Sequence, residues 1–114
     1  MENKNKITNI AVVERLVTTI ALKKNSNPAK SYVSKLLNAK DDLLLKKIGE
    51  EATEVILAGK TGTKKELISE VADLFFHLLV TLEYFDVKFE DILRELQNRE
   101  GISGIDEKNS RPSI

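Results

Sequence analysis

The sequence predicts an all-α fold, a helical bundle of four to five helices completed by homodimerisation. Three observations predict it. Apolar residues recur at helical spacing through most of the 114 residues. Nothing alternates with a period of two over a useful length, so strands have no support. One segment, Lys64 to Phe85, is apolar nearly all round, which calls for protein on every side of it. Four other short helices can hardly cover such a helix, whereas helices of two chains packed as one bundle can.

Turn signals set the elements in order. Ile7, Ile10, Val13, Leu16, Val17 and Ile20 recur on one helical face, and Asn25-Ser26-Asn27-Pro28 stops that helix. A second helical piece begins near Ser31 and carries Tyr32, Leu36 and Leu37. Asp41-Asp42 leads into a third, Leu43 to Ala58, closed by Gly59 and then Thr61-Gly62. Thr63-Lys64-Lys65-Glu66 reads as a capping box, with the Thr hydroxyl accepting from the third amide while the Glu reaches back. The helix it opens runs to about Phe85. A last helix covers roughly Glu90 to Arg99, and Gly101 is placed to end it. The polar remainder, Ser103 to Ile114, is expected to be a loosely ordered tail of one 1–114 domain.

Composition narrows the function classes. Eighteen Lys+Arg balance eighteen Asp+Glu, so no basic excess exists to neutralise nucleic-acid phosphates. With 41% hydrophobic and 32% charged residues the chain is globular and not a disordered tail. The absence of Cys removes disulfides, thiolate nucleophiles and Cys-ligated zinc. No apolar run reaches about 18 residues and the N-terminus lacks a signal-peptide core, which together predict a cytoplasmic protein without membrane partners.

Two acidic clusters stand out, Glu50-Glu51-x-x-Glu54 and Glu70-x-x-Asp73. At about 100° per residue, Glu50, Glu51 and Glu54 fall within roughly a 100° arc of one helix, and Glu70 and Asp73 lie roughly 60° apart on the next. The short Gly59–Thr63 connection makes those helices antiparallel neighbours. Glu54 stands about a turn and a half before it and Glu70 about two turns after it, so the clusters sit at similar heights. Converging carboxylates repel, and a divalent cation removes the conflict. An all-oxygen donor set suits Mg²⁺ or Mn²⁺, and Mg²⁺ usually keeps waters and binds with the help of substrate phosphates, which points to a nucleotide. The plain alternative is a solvated salt-bridge face, since Glu50 and Glu51 follow Lys46 and Lys47 at helical spacing. Asp73 argues against it, because it interrupts a helix expected to be buried, where a carboxylate needs a partner or a metal. A lone His77 on the Asp73 face is expected to be a hydrogen-bonded core residue, and Tyr32 to pack in the core. A di-iron bundle is excluded, since the only His is preceded at the required offset by Leu74.

The residues from Lys46-Lys47-Ile-Gly-Glu-Glu through Glu54, and Glu70-Val-Ala-Asp-Leu-Phe-Phe-His-Leu-Leu79, resemble the phosphoribosyl-ATP pyrophosphatase family of histidine biosynthesis. That family belongs to the wider all-α, MazG-like nucleotide pyrophosphatases. Two flanking pieces narrow the likeness: Ser31-Tyr32-Val-Ser-Lys-Leu36, and Gly101-Ile-Ser-Gly-Ile-Asp-Glu-Lys-Asn-Ser-Arg111. Glu100 and Val33 depart from the usual His and Thr, and neither touches the acidic motif.

The resemblance implies hydrolysis of phosphoribosyl-ATP to phosphoribosyl-AMP and pyrophosphate, the second step of histidine synthesis. It places Glu50, Glu51, Glu54, Glu70 and Asp73 at the metal site and leaves one carboxylate, for which Glu51 is taken, as general base. Lys47, Lys108 and Arg111 are candidate phosphate contacts. Two other readings stay open: a house-cleaning nucleoside triphosphate pyrophosphatase, which would not need the flanking segments, and a non-catalytic helical scaffold dimer, whose stability would ignore Mg²⁺.

Overall fold

A computed structural model describes residues 8–112 and shows six helices in chain order: α1 (Ala11–Lys23), α2 (Tyr32–Asn38), α3 (Leu43–Thr61), α4 (Lys64–Tyr84), α5 (Phe89–Asn98) and α6 (Gly104–Ser110). No strand occurs among the described residues. The all-α expectation holds. Ile7, assigned from its spacing to the first helix, lies outside the described residues.

Local chemistry accounts for the helix ends. The Asn9 side chain accepts from the Ala11 amide at the start of α1. Ser31 caps α2 by accepting from the Ser34 amide. The predicted capping box opens α4: the Glu66 amide donates to the Thr63 hydroxyl oxygen at 3.2 Å, and Glu66 Oε1 accepts from the Thr63 amide at 3.1 Å. Helix α3 runs through Gly59 and ends at Thr61, beyond the predicted stop, because one glycine weakens a helix by only about 1 kcal/mol. The chain turns at Gly62, whose amide donates to the Ala58 carbonyl. A Cβ there would stand 2.8 Å from that same oxygen, so the tight turn between α3 and α4 requires glycine. Gly101, at φ +76°, follows α5 in the left-handed conformation that closes a helix.

The tail expectation needs correction. Residues 104–110 are helical, because Ser103 caps them by accepting from the Asp106 amide at 3.1 Å. The described side chains of that turn are nonetheless exposed.

Helices α3 and α4 form the principal antiparallel pair, and α1 and α2 pack against α4. The core gathers Ile20 of α1, Leu36 and Leu37 of α2, Leu44 of α3, and Leu79 and Val80 of α4. Burying each such side chain contributes about 1.5–3 kcal/mol. Buried Ser34 ties α2 to the preceding loop: its hydroxyl donates to the Ser26 carbonyl, and Asn38 donates to the carbonyls of Lys24 and Ser34. Only His77, Leu79 and Val80 of α4 are buried within one chain, whereas Ile68, Val71, Phe75 and Leu78 are exposed. The nearly all-round apolar character of this helix is therefore not met by one copy.

Candidate active site on helices α3 and α4

Antiparallel pairing across the Gly62 turn brings the second half of α3 against the first half of α4. Carboxylate oxygens of Glu51, Glu70 and Asp73 lie within 4.8 Å of one another. Glu51 and Glu70 are half-buried, and Asp73 is exposed. The burial expected of Asp73 is thus corrected. It lies on the first half of α4, where Leu67, Glu70 and Leu74 are half-buried and no residue is buried.

The other predicted residues fall around that trio. Glu54 stands outside it and lines a shallow cleft of about 160 Å³ with Glu66 and Glu70. Glu50 is exposed and accepts from Lys47 Nζ at 3.0 Å. Lys47 also stands 3.6 Å from Glu51, whose side chain is only 14% exposed. The hydrogen bond to Glu50 raises the Lys47 ammonium above its ordinary value. It stays a cation and balances part of the acidic charge. Lys108 and Arg111 belong to the last turn and C-cap of α6, whereas α3 and α4 alone build the trio.

The electrostatics register the crowding. Desolvation raises the Glu70 carboxyl above its ordinary value, and the charges of Asp73, Glu54, Glu51 and Glu66 push it the same way. A carboxylate held among carboxylates favours its proton or a cation.

One feature escaped sequence reasoning. The Tyr32 hydroxyl lies 2.8 Å from His77 Nε2, and His77 Nδ1 lies 2.7 Å from the carbonyl oxygen of Asp73. His77 is buried as expected, but Tyr32 is 48% exposed, so the core position expected for it is corrected. The spacing of Asp73 and His77 on one face signalled half of this link. A partner 45 residues away left no sequence signal.

Opposed carboxylates on a helical hairpin, with a lysine against one of them, define an all-α hydrolase of phosphoric anhydrides when joined to the sequence relationships. The family model described as Phosphoribosyl-ATP pyrophosphohydrolase matches residues 13–100. The phosphoribosyl-ATP pyrophosphatase of Nitrosomonas eutropha is 49% identical over 100 residues, covering 88% of this chain and 86% of the relative. The proteins of that name from Bordetella parapertussis (47% over 104 residues, 89% and 90% covered) and Burkholderia mallei (52% over 101 residues, 85% and 83% covered) are similarly close. The chain belongs to the phosphoribosyl-ATP pyrophosphohydrolase family.

Proposed function

We propose that this chain hydrolyses phosphoribosyl-ATP to phosphoribosyl-AMP and pyrophosphate in a Mg²⁺-dependent reaction, the second step of histidine synthesis, as a cytoplasmic homodimer. The observation that carries the reading is the approach of Glu51, Glu70 and Asp73 to within 4.8 Å. Family membership and the names of the relatives support the substrate.

The donor set fits a hard divalent cation: three carboxylates offer oxygen only, and Glu70, raised by desolvation and then by the carboxylates around it, gains from a cation beside it. Glu51, Glu70 and Asp73 would hold the ion, with Glu54 and Glu50 beside them. Mn²⁺ offers similar chemistry. When bound, such an ion offsets charge on the leaving pyrophosphate and lowers the pKa of an attacking water. Glu51 is the carboxylate suited to serve as general base, because Lys47 stands 3.6 Å from it and its side chain is only 14% exposed. Lys47 stands where it can meet a phosphate oxygen in exchange for Glu50. Lys108 and Arg111 extend that role to the C-terminal helix.

Dimerisation draws support from an open groove of about 610 Å³ between α1 and α4, walled by Val12, Leu16, Ile68, Val71 and Phe75. Along that groove Ile68, Val71 and Phe75 are exposed in a single copy. No described helix is long and apolar enough to cross a membrane.

The test is pyrophosphate release from phosphoribosyl-ATP with and without Mg²⁺, beside ATP and deoxynucleoside triphosphates. Turnover of phosphoribosyl-ATP only, and only with Mg²⁺, is the expected result. Preferential turnover of simple triphosphates would move the chain to house-cleaning, and silence on every substrate would overturn the reading.

A further inference from the structure

The Tyr32–His77 pair has a fixed polarity. A backbone carbonyl can only accept, so His77 Nδ1 carries the hydrogen that it donates to the Asp73 carbonyl. In the neutral ring Nε2 is then an acceptor, and the hydrogen of the bond to Tyr32 belongs to the phenol. The ring is locked in place: it is buried, and Phe76 meets it edge-on with centroids 5.5 Å apart. The Tyr32 hydroxyl thus has its one hydrogen committed inward, and the lone pairs of its oxygen are left for whatever lies outside. Through His77 that oxygen is tied to the backbone of Asp73, a member of the carboxylate trio. Lys47, Glu51, Glu50 and Asp73 all act electrostatically on this phenol, and burial raises it above its ordinary value, so it keeps its proton.

We propose that Tyr32, oriented by His77, is a positioning residue of the candidate cation site, where its oxygen accepts a hydrogen from a water of the hydrated ion. This rests on the cation reading above. A Mg²⁺ or Mn²⁺ ion held by few carboxylates keeps several waters, each a strong donor that needs an acceptor. Free carboxylate oxygens meet some of that need. A neutral acceptor meets it without adding to the repulsion within the cluster. The same linkage ties α2 to the carbonyl of Asp73, so α2 braces the site through α4.

The test is Mn²⁺ binding, followed by the electron paramagnetic resonance of the free ion, with no substrate present. Tyr32→Phe keeps the ring and removes the oxygen, and should weaken Mn²⁺ binding about tenfold, the size of an outer-shell loss. His77→Leu should weaken it to a similar degree, and His77→Gln, which restores an acceptor to Tyr32, should recover part of the loss. The double variant Tyr32→Phe/His77→Leu should bind no more weakly than the weaker single variant, since His77 acts through the hydroxyl. A purely structural linkage would change melting and leave Mn²⁺ affinity alone. Wild-type affinity in folded Tyr32→Phe overturns the proposal by itself, even if His77→Leu fails to fold. Absence of Mn²⁺ binding in the wild type overturns the cation reading together with it.

Discussion

The two halves of α4 do different work. From His77 onward its inner face is buried with Ile20, Leu36 and Leu44, and the polar groups there are hydrogen-bonded. Before His77 no side chain of α4 is buried: Glu70 and Asp73 converge with Glu51 on one side, and Ile68 and Val71 are bare on another. One half holds the fold together, and the other spends its positions on a repulsive cluster and an uncovered apolar groove. A helix can carry such a half only because its remainder is anchored.

The largest effect that would break this division is loss of a carboxylate from the trio. Asp73→Ala should lower turnover of phosphoribosyl-ATP about 10³-fold, roughly 4 kcal/mol of transition-state stabilisation, more than the 10–100-fold of an outer-shell partner. In chelator its melting temperature should stay level or rise, because a repelling charge is gone. A stability loss comparable to a core truncation would erase the difference between the halves. The converse variant is Leu36→Ala, which empties a fully buried site against the anchored half. It should cost about 2–5 kcal/mol by denaturant unfolding and leave turnover per folded molecule unchanged.

Much of this division was legible in the sequence. The capping box at Thr63 marks where α4 begins, and helical arithmetic across the connection brings the Glu50–Glu54 cluster to the height of Glu70 and Asp73, although it sets Glu54 against Glu70 where the structure sets Glu51. Glu54 falls outside the trio because it lies nearly a turn closer to the connection, where it meets the Glu66 side of Glu70. The apolar stretch around Asp73 predicts burial, yet the residue is exposed. Periodicity reports which face is apolar and not what covers it. Helix α6 was invisible because its single cap, Ser103, precedes a turn with no apolar face to signal burial. The Tyr32–His77 bond depends on the packing of α2 on α4, a tertiary fact.

The uncovered groove sharpens the comparison by a smaller step. Ile68→Lys puts a charge on a wall that is 71% exposed in one copy. If a second copy covers it, sedimentation should show the dimer dissociation constant rising about 30-fold, a loss of about 2 kcal/mol. An unchanged constant would put the dimer contact elsewhere. Smaller again is Thr63→Ala, which removes the cap from the exposed half and should cost about 1 kcal/mol by denaturant unfolding, with turnover unaffected.

The smallest effect separates two glutamates one turn apart on the exposed half. Hydrogen bonds from the Thr63 backbone and side chain hold the Glu66 carboxyl below its ordinary value of 4.5, whereas desolvation and the neighbouring carboxylates hold Glu70 above the same value. The signs of their contributions are opposite. Glu66 contributes stability that is present above 4.5 and lost as pH falls through its lowered value. Glu70 contributes stability that is present below 4.5 and lost as pH rises through its raised value. In metal-free buffer the difference in melting temperature between Glu70→Gln and wild type should therefore grow more positive towards neutral pH, and that for Glu66→Gln more negative. Saturating Mg²⁺ should reverse the first difference, because the ionised Glu70 then has a cation to hold, and should leave the second unchanged. Parallel profiles for the two variants would mean that Glu70 senses no cluster, and the repulsive half of α4 would reduce to an ordinary solvated face.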